Sequence, residues 1–182
     1  MSLFEYVSVA IALIYALAVG RLLAGLAPSL DKNKRYPIHF AWVLALLLVC
    51  ALQWWQLWRT REVDWNSIRF FWVLVLPSLI YLRATILLGA EPNEVKSYRE
   101  HYFAHRVPFF VLGVLSALVI FLTPWLLGII PWLQFDLLHI AASVLLLISL
   151  LGLIFKKPAV HALLVLFNFG LALGSILHIQ PV

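Results

Sequence analysis

The chain has 182 residues, of which 64% are hydrophobic and only 12% are charged, and its formal net charge is +5. Soluble globular domains are about 45–50% apolar and about 25% charged, so this composition excludes a soluble domain. It favours a membrane protein, because each bilayer-spanning helix needs about 20 consecutive apolar residues.

Six apolar segments of suitable length follow one another along the chain, separated by short breaks that contain Pro, Gly or charged residues. The apolar runs are continuous, whereas strands of a membrane β-barrel alternate and span about 10 residues each. Helices also satisfy their backbone groups internally, as hydrocarbon requires. We therefore predict an all-α fold in which residues 1–182 form one transmembrane domain, a single bundle of six helices. The predicted spans are 4–26, 38–58, 68–89, 107–127, 134–155 and 159–179.

Small residues recur on the first and last predicted helices. On helix 6, Gly170 and Gly174 form a GxxxG pair, and Asn168 lies on another side. Such residues let helix backbones approach closely in lipid, so we expect both small faces inside the bundle, with helix 6 at its centre. Glu5 shares the small face of helix 1 and is expected to point into the bundle or an outer vestibule. The small residues of helix 1 are Ser8, Ala12, Ala16, Gly20 and Ala24.

The break between helices 3 and 4 has a periodicity of its own. Val95, Tyr98 and Tyr102 fall on one side of a helical projection of Glu91–Arg106, and most of the charged residues fall elsewhere. This pattern predicts a short interfacial helix on the cytoplasmic leaflet. Its basic residues would attract anionic lipid by about 1 kcal/mol each.

Basic residues are distributed unequally between alternate loops. Eight Lys and Arg flank the connections after helices 1, 3 and 5, and three flank the connection after helix 2. The positive-inside rule places the richer side in the cytoplasm and both termini outside. The first segment lacks a basic n-region, so it is interpreted as a retained span and not as a cleaved signal peptide. Most tryptophans lie at the other boundary, as in an interfacial belt: Trp54, Trp55, Trp58, Trp65, Trp72, Trp125 and Trp132.

The chain contains the string FEYVSV at residues 4–9 and the string YREHYFAHR at residues 98–106, followed by Phe109 and Phe110. These strings resemble small six-span integral membrane proteins of bacteria, a group without an assigned function. The resemblance implies a helical fold and the bacterial inner (cytoplasmic) membrane. It brings no catalytic or ligand-binding residue to this chain.

Ionisable residues within a span are costly in hydrocarbon and are therefore functional candidates. Arg21 and Arg83 lie toward the cytoplasmic ends of helices 1 and 3, and we expect both to extend to lipid phosphates. The alternative for either arginine is a buried partner such as a substrate anion. Further polar groups would form a discontinuous ligand or proton path between the two faces, with His39 and His161 at its inner end. The path residues are Glu5, Arg83, Asp136, His139 and Asn168.

Four histidines form two tiers, with His39 and His161 near the cytoplasmic face and His139 and His178 near the outer face. Paired tiers of this kind hold the cofactors of di-haem membrane cytochromes, and imidazole binds haem iron axially. A b-type haem is therefore one hypothesis. Against it, no helix pair shows matched ligand positions.

A divalent-metal site near the outer face would have suitable ligand types. However, no two ligands are spaced as HxxxH within one span, so no metal site is predicted. The ligand types belong to Glu5, Asp136, His139 and His178.

The sequence lacks a phosphate-binding glycine loop, a nucleophile elbow, HExxH and CxxC, so it gives no support for soluble-type enzyme chemistry. We predict a non-enzymatic membrane protein, either a small-molecule or ion permeation unit or a ligand-binding subunit. The alternatives are a haem- or quinone-binding redox subunit and a scaffold for a membrane partner or a homo-oligomer. Nucleic acid is an unsuitable partner, because the basic residues flank spans and form no compact basic face.

Overall fold

A computed structural model describes residues 2–178, with the side chains of 93, 177 and 178 outside the description. Within this range there are six helices that are long and apolar enough to cross a membrane, and no strand. This confirms the all-α, six-helix prediction. The helices are α1 Leu3–Ser29, α2 Pro37–Gln56, α3 Ser67–Leu88, α4 Tyr98–Leu126, α5 Leu137–Ile154 and α6 Pro158–His178, with 3₁₀ turns at Leu57–Thr60 and Pro92–Glu94.

Local sequence signals fix where the helices begin. The side chains of Ser2, Asn66, Ser97 and Asp136 each accept a hydrogen bond from a backbone N–H in the first turn of the following helix. These bonds satisfy N–H groups that have no partner inside the helix. The other two helices, α2 and α6, begin at a proline, whose missing N–H costs nothing at a first helical position.

The helices form a ring in the order α1, α3, α4, α5, α6 and α2, and α2 also reaches α3 and α4. We call the end of the bundle with the α1–α2, α3–α4 and α5–α6 connections the basic face. The end with the α2–α3 and α4–α5 connections is the tryptophan face. The predicted central position of helix 6 is wrong, because α6 packs mainly on α2 and α5 while α2 contacts four other helices.

The small faces of α1 and α6 do not pack inside the bundle as predicted. Ala16, Gly20 and Ala24 are exposed, and a Cβ added at Gly170 or Gly174 would meet no described atom within 4 Å. The error has a physical cause: lipid and protein core are equally apolar, so the spacing of small residues cannot distinguish the two environments. The face of α1 that packs inward is Val7, Ile11, Tyr15, Ala18, Leu22, Gly25 and Ser29.

The predicted interfacial helix is also replaced by a different arrangement. Glu91–Arg106 contributes a 3₁₀ turn and then the first turns of α4, which continues without a break to Leu126. Tyr98, Tyr102 and Arg106, spaced by four residues, are all buried. This face packs into the bundle and does not lie on a lipid surface, so the helix enters the bundle directly.

Gly152 in α5 provides a test of this packing. A Cβ at this position would lie 2.4–2.5 Å from ring carbons of Phe110, whose side chain is fully buried. Because the ring has no space to move into, we expect Gly152→Ala to lower the free energy of unfolding by about 1–3 kcal/mol.

Gly170→Ala is the matched control, since its surroundings are open and alanine favours the helix by up to about 1 kcal/mol. Thermal unfolding of both variants in the same detergent gives the comparison. Equal melting temperatures for the two variants would contradict the described α4–α5 contact.

Candidate functional site

Three arginines near the helix ends bind backbone carbonyls of a neighbouring helix. Arg21 of α1 donates to the carbonyls of Gly89 and Ala90, just beyond α3. Arg69 of α3 donates to the carbonyl of Leu126 at the end of α4, at 3.3 Å. The last carbonyls of a helix lack internal partners and carry partial negative charge. The sequence-based expectation that Arg21 extends to lipid phosphate is therefore wrong: its guanidinium holds two helices together.

Arg106 of α4 makes the most extensive contact of this kind. Its Nη1 lies 2.9 Å from the carbonyl oxygen of Gly152, 2.8 Å from that of Leu153 and 3.1 Å from that of Phe155. All three acceptors belong to the end of α5. The guanidinium thus replaces the water that these carbonyls would otherwise need.

Arg83 of α3 behaves differently. Its side chain is only 3% exposed, and its guanidinium carbon lies 4.6 Å from the ring centre of Phe109. Among the described residues it has no hydrogen-bond or ion-pair partner, and its buried Nε is unsatisfied. A stack on an aromatic ring offsets part of the cost of burying a charge, but it satisfies none of the five N–H donors of a guanidinium.

The sequence predicts that Arg83 extends to the lipid headgroups, but in the structure it does not. The direction of α3 explains the difference. Side chains leave a helix tilted toward its N-terminus, and the N-terminus of α3 is at the tryptophan face. Arg83 therefore extends away from the nearer, basic face. Arg83 extends toward Gly113 in the middle of α4, where an added Cβ would be in ordinary contact with its Nη2 at 3.5 Å. The same Cβ would clash with Oγ of Ser149 at 2.6 Å, so the glycine leaves room for Ser149.

The chain supplies no acidic side chain at the depth of Arg83. All eight acidic residues lie in connections, at an N-cap or in a first helical turn. A buried charge without a partner costs several kcal/mol, so this guanidinium needs an anion or water from outside the chain. The acidic residues are Glu5, Asp31, Glu62, Asp64, Glu91, Glu94, Glu100 and Asp136.

Arg83 lines a cavity of about 70 Å³ between α2, α3, α4, α5 and α6, which we call the Arg83 cavity. Asn168 of α6, 5% exposed, also lines it, so the structure brings these two predicted path residues together. Sequence reasoning missed Ser116 as a lining residue. Most of the remaining wall is aliphatic, and the space is large enough for several water molecules.

A much larger opening, about 1190 Å³, lies at the tryptophan face and is here called the tryptophan vestibule. Its walls include Glu5, Arg59 and Asp136, together with three tryptophans of α2 and the turn after it. The vestibule and the Arg83 cavity share four lining residues, so they are direct neighbours. The shared residues are Gln56, Leu138, Ala141 and Ser175.

On its other side the Arg83 cavity meets a cluster of large rings, the aromatic plug, consisting of Trp42, Tyr102, Phe109 and Phe110. Each of these side chains is at most 2% exposed. The ring of Trp42 packs edge-on against Phe109 and Phe110, with centroids 5.3 and 5.6 Å apart. The cavity is therefore closed toward the basic face and adjoins the vestibule toward the tryptophan face.

Asp136 and His139 form a pair at the start of α5. Nδ1 of His139 donates to a carboxylate oxygen of Asp136 at 2.8 Å, and the same oxygen caps the helix. The His139 ring packs against Phe121, Trp125 and Phe135. This predicted path residue therefore packs among aromatic rings and lines neither the vestibule nor the Arg83 cavity. Its Nε2 has no partner among the described residues.

Electrostatics favour the ionised form of Asp136. Partial burial would raise the pKa of this carboxyl, but hydrogen bonds from the side chain and backbone of His139, and the charge of Arg59, bring the pKa below its usual range. Arg59 approaches the carboxylate at 3.6 Å. Asp136 thus remains negative at the mouth of the vestibule throughout the neutral pH range.

The inner histidines are bound by the protein itself. Nε2 of His39 lies 2.9 Å from the carbonyl oxygen of Leu87. His161 uses both ring nitrogens, with Tyr102 Oη at 2.8 Å and the Phe155 carbonyl at 2.9 Å. Nδ1 of His39 has no partner among the described residues, but a haem iron bound at Nε2 of His39 or at either nitrogen of His161 would have to displace one of these partners.

The outer metal-ligand types do not gather in the described part of the chain. No group of three or more His, Cys, Asp or Glu side chains is placed there to hold a metal ion. Glu5 and Asp136 both line the vestibule. The side chain of His178, the fourth outer candidate, lies outside the described residues.

Comparison of the chain with protein-family models, with curated proteins and with solved structures finds no match. The six helices make the chain a polytopic membrane protein. A more specific function has to be argued from the Arg83 cavity and the tryptophan vestibule.

The Asp136 cap gives a pH-dependent prediction. Asp136→Ala removes two hydrogen bonds to the α5 backbone, so we expect it to lower the stability at pH 7 by about 1 kcal/mol. A carboxyl with a lowered pKa in the folded protein stabilises it above the pKa of the unfolded chain, and this stabilisation is lost as the pH falls through the folded pKa.

The difference between the wild type and Asp136→Ala should therefore be constant near neutral pH and shrink below the ordinary pKa of an aspartate. Melting temperatures measured between pH 3 and pH 8, with Asp31→Ala as the control in an exposed loop, test this expectation. A difference that grows on acidification would contradict it.

Proposed function

We propose that this polytopic membrane protein is non-enzymatic and binds a small anionic ligand at Arg83, as a permeation unit or a ligand-binding membrane subunit. The observation that carries the proposal is the contrast among its arginines. Arg21, Arg69 and Arg106 bind helix-end carbonyls, whereas Arg83 is buried at a cavity, stacked on Phe109 but with no hydrogen-bond or ion-pair partner among the described residues.

The energetics of Arg83 support a ligand. A guanidinium in an apolar interior is strongly destabilising when unpaired. An anion that binds there forms charge-assisted hydrogen bonds, which are about twice as strong as neutral ones. The Arg83 guanidinium is already removed from water when the protein folds, so ligand binding does not incur its desolvation cost again.

The shape of the interior supports a route for that ligand. The Arg83 cavity adjoins the tryptophan vestibule, and the aromatic plug closes it toward the basic face. With the positive-inside rule, the vestibule opens outward and the basic face lies in the cytoplasm against anionic lipid. The resemblance to bacterial proteins favours the inner membrane. The ligand then enters from the outer side.

The first experiment measures anion-dependent stability of the purified protein. Sodium salts of chloride, acetate, benzoate, succinate and phosphate are compared at equal ionic strength by thermal unfolding in detergent. At least one anion should stabilise the wild type, by about 1.4 kcal/mol at ten times its dissociation constant. Arg83→Gln should abolish this anion dependence, because it removes the positive charge.

Arg35→Gln is the matched control, because it removes one positive charge at an exposed position of the α1–α2 connection and should retain the full effect. Flux of the stabilising anion into proteoliposomes that contain the wild type then separates permeation from binding without passage, and Asn168→Leu should lower any such flux. Equal anion responses of wild type and Arg83→Gln would overturn the proposal. A Soret band in the purified wild type would favour the haem-binding alternative instead.

A further inference from the structure

The charge of the Arg83 cavity limits the charge of its ligand. Among the described residues that line it, Arg83 is the only charged one. A monoanion would be neutralised by this guanidinium. A dianion would leave one negative charge uncompensated in an apolar site, and an unpaired buried charge costs several kcal/mol. The site is therefore selective for a single negative charge.

The donors that are present suit a carboxylate. A guanidinium presents parallel N–H groups that match the two oxygens of a carboxylate. Asn168, which lines the same cavity, adds an amide N–H₂, and Ser116 adds a hydroxyl. Ser116 already donates to the Leu112 carbonyl at 2.7 Å. The neutral donors left on the wall are the unpartnered indole N–H of Trp42 and the amides of Gln53, Gln56 and Asn168. Of the three amides, that of Asn168 belongs to a buried residue.

The remaining wall suits an apolar body. Aliphatic side chains from five helices surround the polar end, among them Leu46, Ile80 and Leu145. A second cavity of about 90 Å³ adjoins on the vestibule side and shares Leu76 and Ile120 with the first. An apolar cavity of about 150 Å³ holds one benzene molecule, so the two spaces together match a ring or a short alkyl chain.

We infer that the ligand of the Arg83 cavity is a monocarboxylate with an apolar body, such as an aromatic acid or a short- to medium-chain alkanoate. Its carboxylate pairs with Arg83 and the amide of Asn168, and its apolar end points toward the tryptophan vestibule. This inference rests on the proposed function and adds the class of the anion. The same chemistry belongs to free acids and to fatty acids from the membrane.

Ligand classes are separated by titrating the purified wild type with benzoate, hexanoate, succinate and phosphate at constant ionic strength, with melting temperature and calorimetry as readouts. Benzoate and hexanoate should bind at least ten times more tightly than succinate or phosphate. In the series acetate, butyrate, hexanoate, each added methylene should tighten binding about threefold to fourfold. Decanoate distinguishes the sources: affinity that rises further favours a membrane fatty acid, and affinity that reaches a plateau favours a free acid.

Three variants and one control variant test which residues bind the ligand. Arg83→Gln should abolish monocarboxylate binding, and Arg83→Lys should weaken it at least tenfold, because an ammonium lacks the planar fork. Asn168→Leu should weaken it while keeping the tenfold preference over dianions, since the charge remains. Arg35→Gln should match the wild type and so excludes a general effect of losing one positive charge.

The outcomes separate this inference from the proposed function. Tight binding of phosphate or succinate that depends on Arg83 overturns the monocarboxylate class and leaves the anion site in place. Monocarboxylate binding that persists in Arg83→Gln overturns the inference. If no anion binds in an Arg83-dependent manner, both fall together.

Discussion

The end of a helix in lipid leaves carbonyl groups that have no water to bind, and the rest of this bundle depends on how they are satisfied. Arginines from neighbouring helices satisfy three of these ends. Arg21 links α1 to α3, Arg69 links α3 to α4, and Arg106 links α4 to α5. These are also the three most extensive helix–helix contacts. The three arginines therefore fix the register of α1, α3, α4 and α5 relative to one another.

That register determines where Arg83 lies. With α3 held to α1 at one face and to α4 at the other, Arg83 is directed between α3 and α4, toward Gly113 and away from lipid. Its environment is then set by helices that are anchored elsewhere. The protein can therefore hold an uncompensated cation in its interior, because the stability of the bundle comes from the other arginines and from core packing.

The spans could be predicted from the sequence, because hydropathy and length are local properties. Five of the six described helices begin within three residues of the predicted position, whereas α4 begins at Tyr98, nine residues before the predicted span. The inward faces could not be predicted. The ridge that includes Ala16 and Gly20 has the spacing of a packed face, yet it lies on the exposed side of α1. The role of Arg21 was equally hidden, because its partner Gly89 is 68 residues away. Contacts at that separation depend on the ring order, which no local pattern encodes.

Ligand binding and permeation, the two forms of the proposed function, require different movements of the helices. Binding from the vestibule needs no large rearrangement, since the Arg83 cavity shares walls with it. Passage to the basic face requires the plug to open, and Trp42, Phe109 and Phe110 pack edge-to-face there with almost no exposure. Close-packed rings move only together with the helices that carry them. A permeation unit would therefore have to move α2 relative to α4, whereas a binding subunit can act in the arrangement described.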